Sequence, residues 1–556
     1  MHRTMTALRG RLGAVVDVMR QRDLRRLQLG WAAFFLVDGI SMVALSVWAF
    51  GRGGSSAVGL VGLARLLPGA IALPFGAWAA DRFSRRRVVT TVFVAISVTQ
   101  AAIALALASR APAVVIYLLV AASSIAATPY RSAHLAMAPL VARSPAQLVA
   151  MNVTAGTLEG LATFAGPALA ALLLLLRTDP WLVVAVASAA SAAGLVAVAR
   201  IRVDVDPSKA VRRTRDRPVD ELLGGFHELR SNPDTAVIVG CFVAQLLVRG
   251  LLTVLLVSVS FELVDLGSSG VGWLAATIGV GGIVGGTCAV VLTARRRLAG
   301  PFALALVLWG MPIAIIGVFP NIAVVLAALL TVGIGNAMLD VSGFTLIQRL
   351  GADRNLGRVF GVLFTVGIAM GGVGALVAPA LVSLLGLRPV LILVGAVLPG
   401  LAVALLPRFK RIDQQSEPPT ELLSMLSSIA LLAPLPSTTL EKVAAKCTTA
   451  EMASGCVIVT EGDHGDLFYG VLEGHLVVLR GGVQCGMLGP GDHFGEIALV
   501  RNINRLATVV AVSNVRLAVL GAPDFLDALT SCDAAYGIAW RMTEALIATQ
   551  SVRPVT

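Results

Sequence analysis

The chain has 556 residues, 57% of them hydrophobic and only 14% charged, with a mean hydropathy of +0.85. That composition excludes a single water-soluble globule and makes a lipid bilayer the first partner. The net charge of +12 falls in clusters between apolar runs, and membrane orientation explains it without a nucleic-acid partner.

Residues 1–27 form a basic cytosolic segment, "MHRTMTALRGRLGAVVDVMRQRDLRRL". It has no short apolar core followed by a cleavage site, so it is not a removable signal peptide; it reads as a basic helix lying on the membrane. From about Leu29 to Leu406, runs of ~20 mostly apolar residues follow one another, about twelve in number. They are too long and too Ala-, Val-, Leu- and Gly-rich for barrel strands, and the class is an all-α membrane protein. Basic clusters at Arg20 to Arg26, Arg82 to Arg87, Arg200 to Arg217, Arg295 to Arg297, Arg349 to Arg358 and Arg408 to Arg411 alternate with nearly bare breaks. By the positive-inside rule the clustered loops and both termini are cytosolic, which requires an even number of spans and a multi-pass protein of the cell membrane.

The chain repeats itself once. "DGISMVALSVWAFGRGGSSAVGLVGLARLLPGA" from Asp38 aligns with "RGLLTVLLVSVSFELVDLGSSGVGWLAATIGVGG" from Arg249, and "AGPALAALL" with "VAPALVSLL". Arg249 lies 211 positions after Asp38, Gly267 lies 213 after Gly54, and Pro379 lies 212 after Pro167. One offset at three landmarks argues for duplication of a six-span unit in the same orientation. The halves are 28–199 and 235–406, with 200–234 as a polar cytosolic connector.

Two parallel six-span halves resemble the major facilitator superfamily. The loop "AWAADRFSRRR" from Ala77 is similar to that superfamily's G-x-x-x-D-R-x-G-R/K-R/K pattern at Asp81, Arg82, Arg85 and Arg86, with Ala77 and Ser84 replacing both glycines. The resemblance makes these residues a cytoplasmic gate between the halves rather than a substrate site. Two glycine-rich stretches are set aside. "TVGIG" at 331–335 runs on as apolar helix and lacks the surroundings of an ion filter. "GVGGIVGG" at 279–286 reads as small-residue helix packing rather than a phosphate loop.

Ionisable residues at membrane depth cost ~2.5–3.5 kcal/mol each on insertion scales, so they face cavities and have partners. The candidates for substrate or proton are Asp38, Arg249, Arg131, Glu159 and Asp340, with His134 beside Arg131. Asp38 and Arg249 occupy equivalent places in the two halves and are expected to form a central ion pair. They either tie the halves together or take part in transport, with Asp38, Glu159 or Asp340 carrying protons. Arg65 is read as a charge near a helix end.

After Leu406 the composition changes. A polar linker, 407–420, leads to a soluble domain, 421–548, with short amphipathic helices and then two-residue alternation in "CVIVTEGD", "LFYGVLEGHLVVLR", "VQCGMLG", "ATVVAVS" and "VRLAVL". This reads as a β-roll with flanking helices. It resembles the cyclic nucleotide-binding domain family through "EGDHGDLFYGVLEGHLVVL" and the cassette "FGEIALVRNINRLATV", where Arg505 follows Phe494 by eleven positions. The residue chemistry agrees: Gly495 permits close backbone approach, a helix opening at Glu496 aims N–H groups at an anion, and Arg505 offers a guanidinium to a phosphate. Ionised Glu496 accepts from a ribose hydroxyl.

By that resemblance the site comprises Phe494, Gly495, Glu496, Ile497, Ala498, Arg505, Leu506 and Ala507, with Tyr536 or Trp540 of the final helix capping the base. Asn502 and Asn504 stand where the family commonly has Gly and Pro. Leu506 lacks the hydroxyl with which family members favour guanine, which points to cyclic AMP as a regulatory ligand; no other cofactor is required. The six cysteines show no paired spacing and read as free thiols, and no catalytic or metal-ligating constellation is expected.

The sequence therefore reads as a secondary transporter, by resemblance a proton-coupled exporter of a small, amphiphilic or drug-like solute, fused to a cyclic nucleotide sensor. The alternative is a transport-inactive, membrane-anchored nucleotide receptor or scaffold.

Overall fold

The structure is a computed structural model that describes residues 20–141, 145–176, 179–201, 218–293, 297–350, 356–415, 420–435, 437–530 and 532–551. The extreme N-terminal part of the basic segment (1–19), residues 202–217 of the connector and Arg354 lie outside the described residues. The chain divides into two compact units, Met1–Phe409 and Lys410–Thr556.

The first unit is helical, and eleven of its described helices are long and apolar enough to cross a membrane. They begin with Arg22–Arg82, a 61-residue element broken at Gly53 and Gly54, whose backbone leaves helical geometry. Gly54 sits at φ +57° with open space around it, so the break uses the residue that tolerates a left-handed backbone at little cost. Both limbs are apolar and each is long enough for a crossing.

Backbone contact between helices is set by glycine. A Cβ at Gly59 would lie 2.7 Å from the Ala375 carbonyl oxygen and 2.8 Å from the Pro379 ring. A Cβ at Gly272 would lie 2.6 Å from the Pro167 carbonyl oxygen. Gly272 follows Gly59 by 213 positions and Pro379 follows Pro167 by 212, so the offset read from the sequence reappears as a pair of equivalent contacts. In each, a glycine near the start of one helix meets the proline-bearing helix of the opposite repeat. The two glycine-rich stretches set aside above turn out to pack on one another: Gly281 abuts the Leu330 carbonyl and Gly333 the Ile278 carbonyl. "TVGIG" lies wholly inside helix Ile322–Leu350.

The second unit carries two four-stranded antiparallel sheets. With β1 Thr448–Met452, β2 Val457–Val459, β3 Leu467–Glu473, β4 Leu476–Arg480, β5 Val483–Leu488, β6 His493–Phe494, β7 Thr508–Ala511 and β8 Val515–Gly521, their orders are β1-β8-β3-β6 and β2-β7-β4-β5. Val471, Leu476, Leu517 and Phe494 fill the space within the strands. A second apolar cluster seats helices Thr420–Ser428, Ser437–Lys446, Ala522–Thr530 and Asp533–Ser551 through Leu426, Leu432, Phe468 and Phe525. Strand β1 has no counterpart in the sequence reading. Its segment "TTAEM" is polar and largely exposed, held as an edge by ladder bonds to β8 rather than by alternation. Five cysteines, Cys241, Cys447, Cys456, Cys485 and Cys532, are free thiols.

A methyl group at Gly250 would fall 1.9 Å from the Gly371 carbonyl oxygen, while Gly240 has nothing within 4 Å. Overpacking of this kind costs about 1–3 kcal/mol. Gly250→Ala is therefore expected to lower the melting temperature of the purified protein and Gly240→Ala to leave it unchanged; equal melting of the two variants would contradict this helix approach.

Candidate functional site

The cassette lies between β6 and β7. Phe494 is buried against the Tyr469 ring, with centroids 4.8 Å apart. Gly495 follows at φ +97°, and helix Glu496–Arg501 begins immediately. A side chain at Gly495 would be strained by the backbone and would also strike Arg505 Nη1 at 2.7 Å. Asn502 closes the helix at φ +52°, a left-handed conformation that asparagine adopts more readily than most residues. That is how the chain does without a glycine at this position.

Arg505 is only 7% exposed. Its Nη1 donates to the Gly495 carbonyl at 3.1 Å and its Nη2 to the Leu467 carbonyl at 2.7 Å. Its own N–H donates to Asp463 O, and its carbonyl accepts from Gly462 N–H. Among the described residues no carboxylate lies within ion-pair distance of it, so the guanidinium is held by neutral carbonyls, with Asp466 and Glu496 acting on it only from beyond contact. Burial lowers its pKa. Gly465 makes room for it, since a Cβ there would lie 2.7 Å from Arg505 Nε and 2.9 Å from the Ala498 methyl.

Glu496 is 8% exposed, and its Oε2 is buried with no hydrogen-bond partner. Burial raises its carboxyl pKa above the ordinary value, an effect opposed by the nearby His493 and by Arg505. The arrangement therefore brings a vacant buried acceptor and a buried cation into one pocket. Such groups are costly unless a donor and an anion meet them. Ile497 and Ala498 lie in the cassette helix, and Leu506 and Ala507 follow Arg505 into β7, all partly or fully buried.

Arg501, not singled out in the sequence, latches the cassette helix to the final helix. Its guanidinium stacks 3.7 Å from the Trp540 ring centroid. Its Nε donates to Thr543 Oγ1 at 3.0 Å and its Nη2 to the Trp540 carbonyl at 2.8 Å. Of the two expected base-capping residues, Trp540 is thus engaged by Arg501, and Tyr536 stacks on Trp540 at 6.3 Å.

In the membrane unit, Asp38 does not pair with Arg249. Its carboxylate bonds Arg65, 2.5 Å away, and Arg65 also donates to the Asp38 carbonyl at 3.4 Å. Both lie in one chain-continuous element folded back at Gly53 and Gly54, so the nearer cation takes the carboxylate. The register of Arg65 opposite Asp38 depends on that fold-back, which no local pattern in the sequence signals. Asp38, Arg65 and Arg131 line a cavity of about 290 Å³ together with Gln100, which accepts from Ser41 at 3.0 Å. Arg131 lies over the Trp31 and Phe364 rings at 5.9 and 5.7 Å, and His134 packs 4.2 Å from Trp31. Asp340 accepts from Asn336 at 3.0 Å, and Asn336 in turn accepts from Trp309 and Gln245. Arg249 is exposed and lies within electrostatic range of Glu159 and Asp340.

Of the gate motif, Asp81 and Arg82 end the first helix, and Arg85 and Arg86 open the next. Arg86 donates to the Ala199 carbonyl at 2.9 Å. Among the described residues no group of His, Cys, Asp and Glu is arranged to hold a metal.

Comparison with known proteins matches residues 29–367 to the Major Facilitator Superfamily model. The chain belongs to the Major Facilitator Superfamily. Residues 450–532 match the cyclic nucleotide-binding domain model, so this superfamily member carries a C-terminal cyclic nucleotide-binding domain. The solved structure of the nucleoside transporter NupG aligns with a TM-score of 0.57 and 12% identity, covering 70% of this chain and all of that one, a likeness of fold. The tail is 35% identical over 102 residues to a cAMP-dependent protein kinase regulatory subunit of Yarrowia lipolytica, and 34% identical over 102 residues to that of Hypocrea atroviridis. Each match covers 18% of this chain, and 27% and 22% of those relatives' own lengths.

Two outcomes follow for the tail. Because the raised carboxyl of Glu496 keeps its proton to higher pH in the folded state, its burial penalty is absent below the ordinary value of 4.5. The penalty grows as pH rises through the window up to the raised value and is complete above it. Glu496→Gln should therefore stabilise the ligand-free tail at neutral pH and flatten that pH slope in urea unfolding; equal stability of the two forms at neutral pH would refute the vacant-acceptor description. Arg501→Ala should speed amide exchange along the final helix near Trp540 and Thr543, and unchanged protection there would show that the latch holds nothing.

Proposed function

We propose that this protein is a secondary active transporter whose activity is set by a cyclic nucleotide, cyclic AMP, bound to its tail. The observation that carries the regulatory half is the pairing of a partnerless buried carboxylate oxygen on Glu496 with a buried, carbonyl-held Arg505. A sugar hydroxyl meets the first and a cyclic phosphate the second, with Gly495, Ala498, Leu506 and Ala507 giving close backbone access. The match to cAMP-dependent kinase regulatory subunits and the absence of a hydroxyl at Leu506 favour cyclic AMP over cyclic GMP.

The membrane half works by alternating access. Twelve crossings, counting both limbs of Arg22–Arg82, divide into halves 28–199 and 235–406 that rock about a central site. Asp38, Glu159 or Asp340 carries the coupling proton, Arg131 and Arg249 meet the solute, and Asp81, Arg82, Arg85 and Arg86 gate the cytosolic side. The direction is efflux, by analogy with the superfamily, and the solute is small and amphiphilic, suited to a cavity walled by rings and charges. Regulation requires that the nucleotide bind the tail with different affinity in the two transporter states, transmitted through residues 407–420.

Calorimetric titration of the tail, Lys410–Thr556, should give saturable cyclic AMP binding, weaker cyclic GMP binding, and a loss of about 30-fold or more in Arg505→Ala, the scale for truncating one partner of a buried charged contact. A folded tail that binds neither nucleotide would overturn the sensor. Solute flux into proteoliposomes that is indifferent to cyclic AMP would leave a transporter with an uncoupled tail.

A further inference from the structure

Four of the charges placed at membrane depth have no direct ion-pair partner among the described residues. Among the described residues, no carboxylate lies within ion-pair distance of Arg131 or Arg249. Asp340 is held by the amide of Asn336 rather than by a cation. Glu159 and Asp340 nevertheless lie within electrostatic range of both arginines. The four come in matched sets: Arg131 and Glu159 from the first repeat, Arg249 and Asp340 from the second. Asp38 and Arg65 line the same cavity as Arg131 but satisfy each other.

Charges in the membrane ordinarily pair directly or line a space where something else compensates them. Here both arginines are exposed, and Arg131 lines such a space. Arg131 is further constrained by two aromatic faces, Trp31 from the first repeat and Phe364 from the second. It also lines the 290 Å³ cavity, a volume at the lower edge of the ~300–1,000 Å³ typical of ligand pockets.

We infer that this group of two arginines and two carboxylates, with Arg131 held between Trp31 and Phe364, is a site for a small zwitterion that carries a carboxylate and an ammonium group on an apolar or aromatic body. The inference rests on the transporter reading and narrows its solute. Charge balance decides the class. A monoanion would satisfy the arginines, leave both carboxylates without a cation in direct contact and add net charge at membrane depth. A monocation would do the reverse, and an uncharged solute would strip water from all four groups while replacing no charge. A zwitterion supplies one partner of each sign and adds no net charge. Because each repeat contributes both signs, such a solute also bridges the halves, and its departure frees them to rock.

The probes are three compounds on one skeleton: L-phenylalanine, 3-phenylpropionate and phenethylamine. Proteoliposomes holding the full chain are assayed for counterflow of each labelled compound, and the unaltered protein in detergent for thermal stabilisation by each. The expected result is saturable movement of, and stabilisation by, L-phenylalanine alone. Its rate should fall at least about tenfold in Glu159→Gln and in Arg249→Gln, with partial recovery in Arg249→Lys. Movement of the acid or the amine as fast as the zwitterion, or zwitterion transport unaffected by both neutral variants, overturns the assignment and leaves the transporter reading standing. Vesicles that move none of the three also overturn it. If those vesicles further fail to exchange any member of a mixed pool of amphiphilic solutes, the transporter reading fails with it. The stabilisation arm uses only the unaltered chain, so a variant that misfolds does not protect the proposal.

Discussion

The membrane unit depends on how closely helix backbones approach one another across the two repeats. Hydrocarbon provides no hydrophobic drive for helices to associate, so cohesion comes from van der Waals contact and interhelical polar contacts, and small residues make that contact intimate. Gly59 on Ala375 and Pro379, and Gly272 on Pro167 and Ala171, leave no room for a Cβ. These two contacts are equivalent under the repeat, so the same local chemistry builds both sides of the interface.

Charge placement is governed by the same interface. Asp38 and Arg65 belong to one element that folds back on itself, and they find each other without help from the second repeat. Arg131, Glu159, Arg249 and Asp340 come from four different helices and stay apart. Asn336, anchored by Trp309 and Gln245, fixes the Asp340 carboxylate in place. The first pair is a closed account of opposite charges, and the second group is open to a guest.

The tail solves a different problem. A 7%-exposed arginine and an 8%-exposed glutamate are expensive side chains to hide in a small β domain. The protein meets part of that cost with the carbonyls of Gly495 and Leu467 and leaves Glu496 Oε2 unmet. Arg501 then carries any rearrangement of the cassette helix directly into Trp540 and Thr543 of the final helix. Buried Glu496 and the final helix are thus joined through one six-residue helix.

Hydropathy, basic clusters and the 212-residue offset are properties of chain order, so the helical membrane class and the spacing that relates the equivalent Gly–Pro contacts of the two repeats were legible without coordinates. The turn into helix Glu496–Arg501 was equally legible, because its residues lie close in sequence and it needs Gly495 at positive φ. Strand β1 was not, since an exposed polar edge has no alternation to read. Nor were the Arg501 latch and the Asp38–Arg65 pair, which join residues 39 and 27 positions apart through folds of the backbone. The sequence by itself determined which charges enter the membrane and which residues can form the cassette. Only the tertiary structure decided which of those charges meet and which stay open, because pairing depends on helix register across an interface that no local pattern encodes.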